Sequence, residues 1–151
     1  MKELKVTPIK NGTVIDHITS GMALKVLKIL GIGQDISSTV SVVIHVPSAK
    51  EGWKDIVKVE DRELSPREVD KIALIAPDAT INIIRNYSVA EKYRVQIPEV
   101  ARGILRCANP SCITNSDEPL ETEFVVKSQD PMRLRCKYCE RELEDVASHL
   151  L

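Results

Sequence analysis

The spacing of apolar residues along the first two thirds of this chain predicts an alternation of strands and helices. Residues 22–30 and 69–76 carry apolar side chains at helical spacing. Strand character is predicted for four segments, residues 4–9, 40–46, 53–59 and 80–84. The resulting order, β-α-β-β-α-β, is that of the ferredoxin-like α+β fold, in which two helices cover one face of a four-stranded sheet.

Local sequence signals predict where these elements begin and end. In the sequence Ser65-Pro66-Arg67-Glu68, Ser65 is suited to the N-cap position of a helix and Glu68 completes a capping box. Three further boundaries are predicted, namely a turn at Asn11-Gly12, an N-cap at Ser20 and a strand end at Pro47. Residues 88–98 show a weaker pattern, which predicts a connector.

The last third of the chain contains all four cysteines, Cys107, Cys112, Cys136 and Cys139. Their spacing, C-x4-C-x23-C-x2-C, predicts two tight turns whose thiolates converge on one tetrahedral metal ion, with zinc favoured. Four thiolates fill the coordination sphere, so the predicted role of the ion is structural. Iron also accepts four thiolates, and disulfides or unrelated thiols are the other interpretations of the same residues.

The cellular compartment bears on the choice between a metal and disulfides. The first ten residues contain no apolar run typical of a signal peptide, and no segment approaches the roughly 18 apolar residues of a membrane span. We therefore expect a cytoplasmic protein, which favours zinc over disulfides. Two domains are predicted, residues 1–97 and a small all-β zinc-binding domain over residues 98–151. So small a domain is marginal alone, and zinc binding can supply the missing stability.

Composition narrows the range of functions. Of the 151 residues 43% are hydrophobic but only 3% are aromatic, so Ile, Val and Leu are expected to form the core. The net charge is −1, which indicates no general affinity for nucleic acid or for anionic membranes. The sequence contains no glycine-rich phosphate loop, and its cysteines are assigned to a closed metal site. We therefore expect a protein without catalytic activity of its own.

Several polar residues near the ends of predicted strands suggest a binding site. Lysines bind phosphates, and an aspartate can accept hydrogen bonds from ribose hydroxyls. If the predicted sheet forms, these residues can meet at one end or edge of it: Asp16, His17, Lys54, Lys58, Asn82, Tyr87 and Lys92. The pattern alone, however, favours solvated lysines and a capping or turn role for Asp16.

Four sequence blocks together resemble the regulatory chain of aspartate carbamoyltransferase. They are KNGTVIDHI at residues 10–18, WKDIVKV at 53–59, ATINIIRNY at 79–87 and the cysteine set ending in CKYC at 136–139. The resemblance covers essentially the whole chain in the same order. It implies a nucleotide-binding allosteric domain followed by a zinc domain that contacts the catalytic chain.

The resemblance also implies roles for individual residues. Asp16 and Lys58 would contact ribose and base, and His17 and Lys92 the triphosphate. The complete set expected to bind CTP, UTP or ATP is Ile9, Asp16, His17, Lys58, Asn82, Ile84, Tyr87, Val89 and Lys92. The residues expected to contact the catalytic chain are Asn109, Ser111, Lys137, Tyr138 and Glu140.

At the level of assembly, the resemblance implies regulatory homodimers that pair through the allosteric domain. Three such dimers would link two catalytic trimers, with inhibition by CTP, often with UTP, and activation by ATP. No nucleic acid and no membrane is expected as a partner. The competing interpretation is a zinc-ribbon nucleic-acid-binding protein with a ferredoxin-like domain, but such sheets need exposed aromatic residues to stack bases. An independent metalloenzyme would need an open ligand position on the metal.

Overall fold

A computed structural model describes residues 8–33, 37–50, 52–118 and 120–151, and within them the chain forms two antiparallel sheets. The elements of the first sheet and its helices are β1 Gly12–Thr19, α1 Ala23–Ile29, β2 Val40–Ser48, β3 Gly52–Glu60, α2 Pro66–Ile75, β4 Thr80–Arg85 and β5 Ser88–Arg94. The second sheet contains β6 Val100–Arg102, β7 Glu123–Gln129, β8 Met132–Cys136 and β9 Glu142–Leu143. Short 3-10 turns cover Ile113–Asn115 and Ala147–His149.

The first sheet has the strand order β2-β3-β1-β4-β5. Its first four positions are those of the ferredoxin-like fold, because each helix connects two strands that have a third strand between them. The second sheet is a meander in the order β6-β7-β8-β9. The predicted α+β class, with a small all-β part after the ferredoxin-like part, is confirmed.

The predicted strand at residues 4–9 lies largely outside the described residues. Only its residues 8 and 9 are described, and they are not in a strand. The first strand of the described part is β1, which begins at the predicted turn residue Gly12. At Gly12 φ is +146°, and an added Cβ would lie 2.2 Å from the carbonyl oxygen of Val59. The glycine therefore serves a close approach between strands.

The predicted connector over residues 88–98 is also wrong, because its first part forms β5. This strand pairs with β4 through a tight turn in which Asn86 and Tyr87 have positive φ values. All residues of β5 are exposed, since it lies at the edge of the sheet. An exposed edge strand has no buried face, and without one the apolar alternation that marks a strand in a sequence disappears.

The two predicted helix caps had different outcomes. Ser65 caps α2 as predicted, because its side chain accepts a hydrogen bond of 3.2 Å from the Glu68 N–H and the capping box is complete. Ser20 does not cap α1, whose N-cap is Met22 without a side-chain hydrogen bond. A distant carboxylate replaces it: the buried Asp55 accepts hydrogen bonds from the backbone N–H groups of Gly21 and Ala23.

Strand β2 departs from the prediction in two ways. It continues past Pro47 to Ser48, which an edge strand tolerates because one row of its N–H groups needs no partner. An irregularity between Val43 and Val46 interrupts the predicted alternation, so that Ile44 is 52% exposed while Val46 is buried. The N–H of His45 in this bulge donates to Asp55 at 2.9 Å.

The core consists mainly of aliphatic residues, in line with the composition. Side chains from β1, β3 and β4 alternate between a buried face and an open face, and the buried ones pack with α1 and α2. Representative members are Ile15, Val57, Ile81, Val26 and Ile72. Phe124, Leu134 and Leu105 are fully buried around the second sheet. The opposite, helix-free face of the first sheet is left open.

Candidate functional site

The four cysteines lie together and form a candidate metal centre. Their Sγ atoms all lie within 4.8 Å of one another, and none of the four forms a disulfide. The separations are 3.6 Å between Cys107 and Cys139 and 3.7 Å between Cys112 and Cys136. A tetrahedral zinc ion with Zn–S bonds of about 2.3 Å requires S–S separations of about 3.8 Å. The thiols therefore fit one tetrahedral ion.

Backbone hydrogen bonds shape the two turns that carry these thiols. In the first turn the Asn109 side chain accepts from the Ser111 N–H at 3.0 Å, and the Cys112 N–H donates to the Asn109 carbonyl. In the second turn the Glu140 N–H donates to the Cys136 carbonyl, and Glu140 has a φ of +63°. These local bonds hold the cysteine side chains on the same side of each turn.

Burial and hydrogen bonding have opposing effects on the pKa values of these thiols. It raises the pKa of Cys107 to about 12 and also raises the pKa of Cys136. At Cys139 burial is outweighed by hydrogen bonds, from the Arg141 backbone first and then from Asn109, which lower the pKa to about 7. A metal binds thiolates, so its binding to this set must release protons.

The residues expected to contact the catalytic chain surround the metal centre. Ser111, Lys137, Tyr138 and Glu140 are exposed on the two turns. Tyr138 is 40% exposed, and its hydroxyl lies 3.3 Å from the Glu121 carbonyl oxygen. Asn109 is only half-buried, and its side chain is already used within the first turn. The structure thus brings the five together, with an internal structural role for Asn109.

The second candidate site lies on the helix-free face of the first sheet. Lys58 pairs with Val14, Val14 with Asn82, and Asn82 with Lys92, so the four form one row across β3, β1, β4 and β5. With neighbouring strands about 4.8 Å apart, the backbones of the two lysines are separated by about 14 Å. We call this set the lysine row. A ligand that lies across these four strands can contact both of its ends.

Lys58 is the most unusual member of the lysine row. Its side chain is 3% exposed, and in the described part of the chain no carboxylate forms an ion pair with it. Burial lowers the pKa of Lys58, and the negative charge of Glu60 partly opposes this shift. A buried ammonium group without a paired carboxylate provides a strong attraction for an anion.

Asp16 and His17 occupy the irregular part of β1 next to the row. The Lys54 ammonium lies 2.9 Å from the Asp16 carboxylate, and the His17 N–H donates to the same carboxylate at 2.6 Å. The His17 ring nitrogen lies 3.8 Å from Asp16. Lys54 was absent from the set implied by the family resemblance. The strand pattern had nevertheless placed Lys54 with Lys58 among the polar residues expected to meet at one end or edge of the sheet.

The apolar members of the expected set lie at one end of the row. Ile84 pairs with Val89, two residues along β4 and three along β5 from the Asn82–Lys92 pair, because the register shifts between Ile83 and Ile84. Val89 is 56% exposed and Tyr87 is 68% exposed, while Ile9 is buried. The Tyr87 N–H donates to the Lys10 carbonyl at 2.9 Å, which fixes the β4–β5 turn beside the segment before β1.

A cavity of about 640 Å³ lies near the same end of the sheet but does not include the lysine row. Its lining includes Arg62 and Arg85, whose guanidinium groups are paired with Glu68 and with Glu63, respectively. Because their charge is already balanced, they attract an additional anion less strongly than Lys58 does. The lysine row is therefore the better candidate for an anionic ligand.

None of the helices among the described residues combines the length and the apolar character that crossing a membrane requires.

Comparisons with known proteins agree on one family across both parts of the chain. The family model "Aspartate carbamoyltransferase regulatory chain, allosteric domain" matches residues 4–96. The model "Aspartate carbamoyltransferase regulatory chain, metal binding domain" matches residues 99–147. Both matches lie in the same order as the two sheets.

Curated relatives named "Aspartate carbamoyltransferase regulatory chain" are similar over nearly their full lengths. A relative from Methanothrix thermoacetophila is 59% identical, covering 99% of this chain and 98% of its own. One from Methanothermobacter thermautotrophicus is 59% identical over 94% of this chain and 90% of its own. One from Pyrococcus horikoshii is 56% identical over 96% and 95%, respectively.

Proposed function

The chain belongs to the aspartate carbamoyltransferase regulatory-chain family, and we propose that it senses CTP, UTP and ATP for the catalytic chains with which it assembles. Its relatives are named as regulatory chains rather than catalytic ones, and the chain is accordingly a non-catalytic subunit. The observation that carries the effector assignment is the lysine row, with the buried Lys58 at one end and the exposed Lys92 at the other.

The arrangement of the lysine row favours an extended anion such as a nucleoside triphosphate. Lys92, on the edge strand, is open to solvent and suits a triphosphate, together with His17. Asp16 and Lys58 would contact the ribose and base, and Asn82 lies between the two ends. Ile84, Val89, Tyr87 and Ile9 would line the apolar part of the pocket.

The proposed site accommodates inhibitors and activators with the same phosphate contacts. CTP, UTP and ATP share the ribose and the triphosphate, so contacts at Lys92 cannot distinguish them. Inhibition by CTP, with UTP as a companion, and activation by ATP must therefore arise from base-dependent contacts near Lys58. For either effect, each nucleotide must bind two states of the assembly with different affinities.

The metal centre supports the second half of the proposal, which concerns assembly. We assign zinc to the four thiols, because their separations fit its tetrahedral geometry. When bound, zinc supplies a structural cross-link between two turns and no open position for catalysis. Ser111, Lys137, Tyr138 and Glu140 are exposed on these turns and would contact the catalytic chain.

A regulatory homodimer through the first sheet completes the proposed assembly. Of the two sheet edges, β5 carries Lys92 and Val89, so pairing there would restrict the proposed nucleotide site. Pairing along β2 leaves the site open and covers Ile44 and Trp53, which are 52% and 47% exposed. Three such dimers would join two catalytic trimers in the cytoplasm.

The proposed function is tested by calorimetric titration of the zinc-loaded chain with CTP, followed by ATP in competition. We expect saturable binding of each nucleotide and mutual exclusion between them. A single-stranded oligonucleotide serves as the control, because a net charge of −1 indicates no general affinity for nucleic acid. Binding of the oligonucleotide without binding of free nucleotides would overturn the proposal.

A further inference from the structure

Two cations on α2 connect the first sheet with the part of the chain that carries the metal centre. The Arg67 guanidinium donates a hydrogen bond to the Gly103 carbonyl, and the Lys71 ammonium donates one to the Leu151 carbonyl. Residues four apart lie on one face of a helix. A single face of α2 therefore contacts two separate segments of the C-terminal part.

The Gly103 contact depends on a backbone conformation that places the carbonyl beside α2. Gly103 has a φ of +66°, and its N–H donates to the Thr122 carbonyl at 2.8 Å. A Cβ added there would lie 3.1 Å from the Glu121 side chain and 3.6 Å from the Arg67 guanidinium. The glycine thus keeps room for the guanidinium between α2 and the Glu121 side chain.

The Leu151 contact leads directly towards a metal ligand. The Leu151 N–H donates to the Ile104 carbonyl at 2.9 Å, and the Arg106 N–H donates to the His149 carbonyl at 2.8 Å. The tail is therefore paired with residues 104–106, and the next residue is Cys107. Arg67 therefore contacts Gly103, at the start of the segment that leads to Cys107. Lys71 contacts the tail that is paired with this segment.

The opposite face of α2 belongs to the core of the first sheet. Ile72 and Ala73 are buried there, in the same cluster as Ile81 of β4. Asn82, the next residue of β4, is a member of the lysine row. Helix α2 is thus the rigid element between the proposed nucleotide site and the segment that leads to Cys107.

We infer that Arg67 and Lys71 are positioning residues that transmit nucleotide binding from the first sheet to the metal centre, through α2 and the carbonyls of Gly103 and Leu151. This inference rests on the proposed effector function. A shift of α2 on nucleotide binding would move both cations together, and with them the turn that carries Cys107. Loss of both donors leaves the nucleotide site intact but weakens the mechanical connection.

The test uses enzyme reconstituted from wild-type catalytic chains and regulatory variants. The variant R67M/K71M keeps the aliphatic part of each side chain and removes both donors, whereas R67K/K71R keeps a donor at each position. K28M is the matched control, since it removes an exposed helical cation from α1. Zinc content, the CTP dissociation constant and the ratio of catalytic rates with and without CTP are measured for each.

We expect R67M/K71M to bind zinc and CTP as the wild type does. Its catalytic rate, however, should change far less on addition of CTP than that of the wild type. K28M and R67K/K71R should retain the wild-type response to CTP. A wild-type ratio in R67M/K71M would overturn the inference while leaving the proposed function in place. Failure of R67M/K71M to assemble or to bind CTP would also overturn it, by assigning the two cations a role in stability only. Wild-type enzyme without any CTP response would overturn both proposals.

Discussion

At the scale of single residues, Lys58 combines a positive charge with near-complete burial. Its side chain is 3% exposed, and its pKa is lowered by burial, with partial opposition from Glu60. Among the described residues this ammonium group has no paired carboxylate, so its burial opposes folding, and hydrogen bonds to the base and ribose of a bound nucleotide would offset part of that cost. The residue is therefore better explained by ligand binding than by stability.

The lowered pKa of Lys58 leads to a prediction about pH. Only the protonated ammonium attracts a nucleotide, so affinity should be full below the pKa of Lys58 and fall as the pH rises through it. Because that pKa is lowered, the fall should begin at a lower pH than an ordinary lysine would give. Calorimetric titrations with CTP across the alkaline range measure this fall in affinity. Lys58→Arg keeps its positive charge across this range, so its affinity for CTP should depend less on pH. An identical pH dependence of affinity in both proteins would contradict the assignment of Lys58 to the nucleotide site.

Lys92 gives a second prediction at this scale. Lys92→Ala should weaken CTP and ATP together, by about 1–3 kcal/mol each, because a charge-assisted phosphate contact is lost. The control is Lys28→Ala, which removes an exposed lysine of α1. Unchanged dissociation constants for both nucleotides in the Lys92 variant would remove this residue from the site.

At the scale of elements, the sequence predicts those helices and strands that have a buried face. Strands β2, β3 and β4 and both helices were located from apolar spacing, because each packs one face into a core. Strand β5 escaped prediction because it is an exposed edge strand. The start of β1 was missed because Gly12 looks like a turn residue, whereas here it serves a close approach to Val59.

The candidate sites could also be predicted only in part, because some of them depend on contacts between residues that are distant in sequence. The cysteine set could be predicted from spacing, since both ligand pairs are local in sequence. The lysine row joins residues from four strands. The strand pattern suggested only that Lys58, Asn82 and Lys92 could meet at an end or edge of the sheet, and the family resemblance was needed to assign them to a nucleotide. The Lys54–Asp16 pair and the cap that Asp55 provides for α1 depend on the register of β1 with β3, which no local pattern specifies.

The two helix caps allow a matched test of element stability. Ser65→Ala should lower the free energy of unfolding by about 0.5–2 kcal/mol, because the Glu68 N–H loses its hydrogen-bond acceptor. Ser20→Ala should have little effect, since the Ser20 side chain does not cap α1. Urea unfolding of the zinc-loaded variants measures both. Equal losses in the two variants would contradict the distinct roles of these serines.

At the scale of the whole molecule, the two sheets depend on different sources of stability. The first has a core of aliphatic side chains beneath two helices. The second has four short strands around Phe124 and the buried cysteines. In small metal-binding domains the metal contributes about 10–16 kcal/mol of apparent binding free energy. The C-terminal part should therefore depend on its metal far more than the first sheet does.

This difference predicts that metal removal separates assembly from nucleotide binding. Cys136→Ser should abolish association with catalytic trimers, while binding of CTP to the first sheet persists. Size-exclusion chromatography with catalytic trimers and calorimetry with CTP measure the two properties on the same preparation. Lys127→Ala, which removes an exposed side chain of β7 and leaves all four thiols in place, is the control for zinc retention. A stable complex containing the Cys136 variant would contradict the assembly role of the metal.

The most direct test of the central claim is to locate bound CTP and ATP on the zinc-loaded chain by chemical-shift mapping of backbone amides. Both nucleotides should shift the amides of the lysine row and its neighbours most strongly, above all those of Asp16, Lys58, Asn82 and Lys92. Secondary shifts should follow along α2. Shifts confined to the cavity around Arg62 and Arg85, or to the metal-binding turns, would contradict the assignment of the lysine row as the nucleotide site.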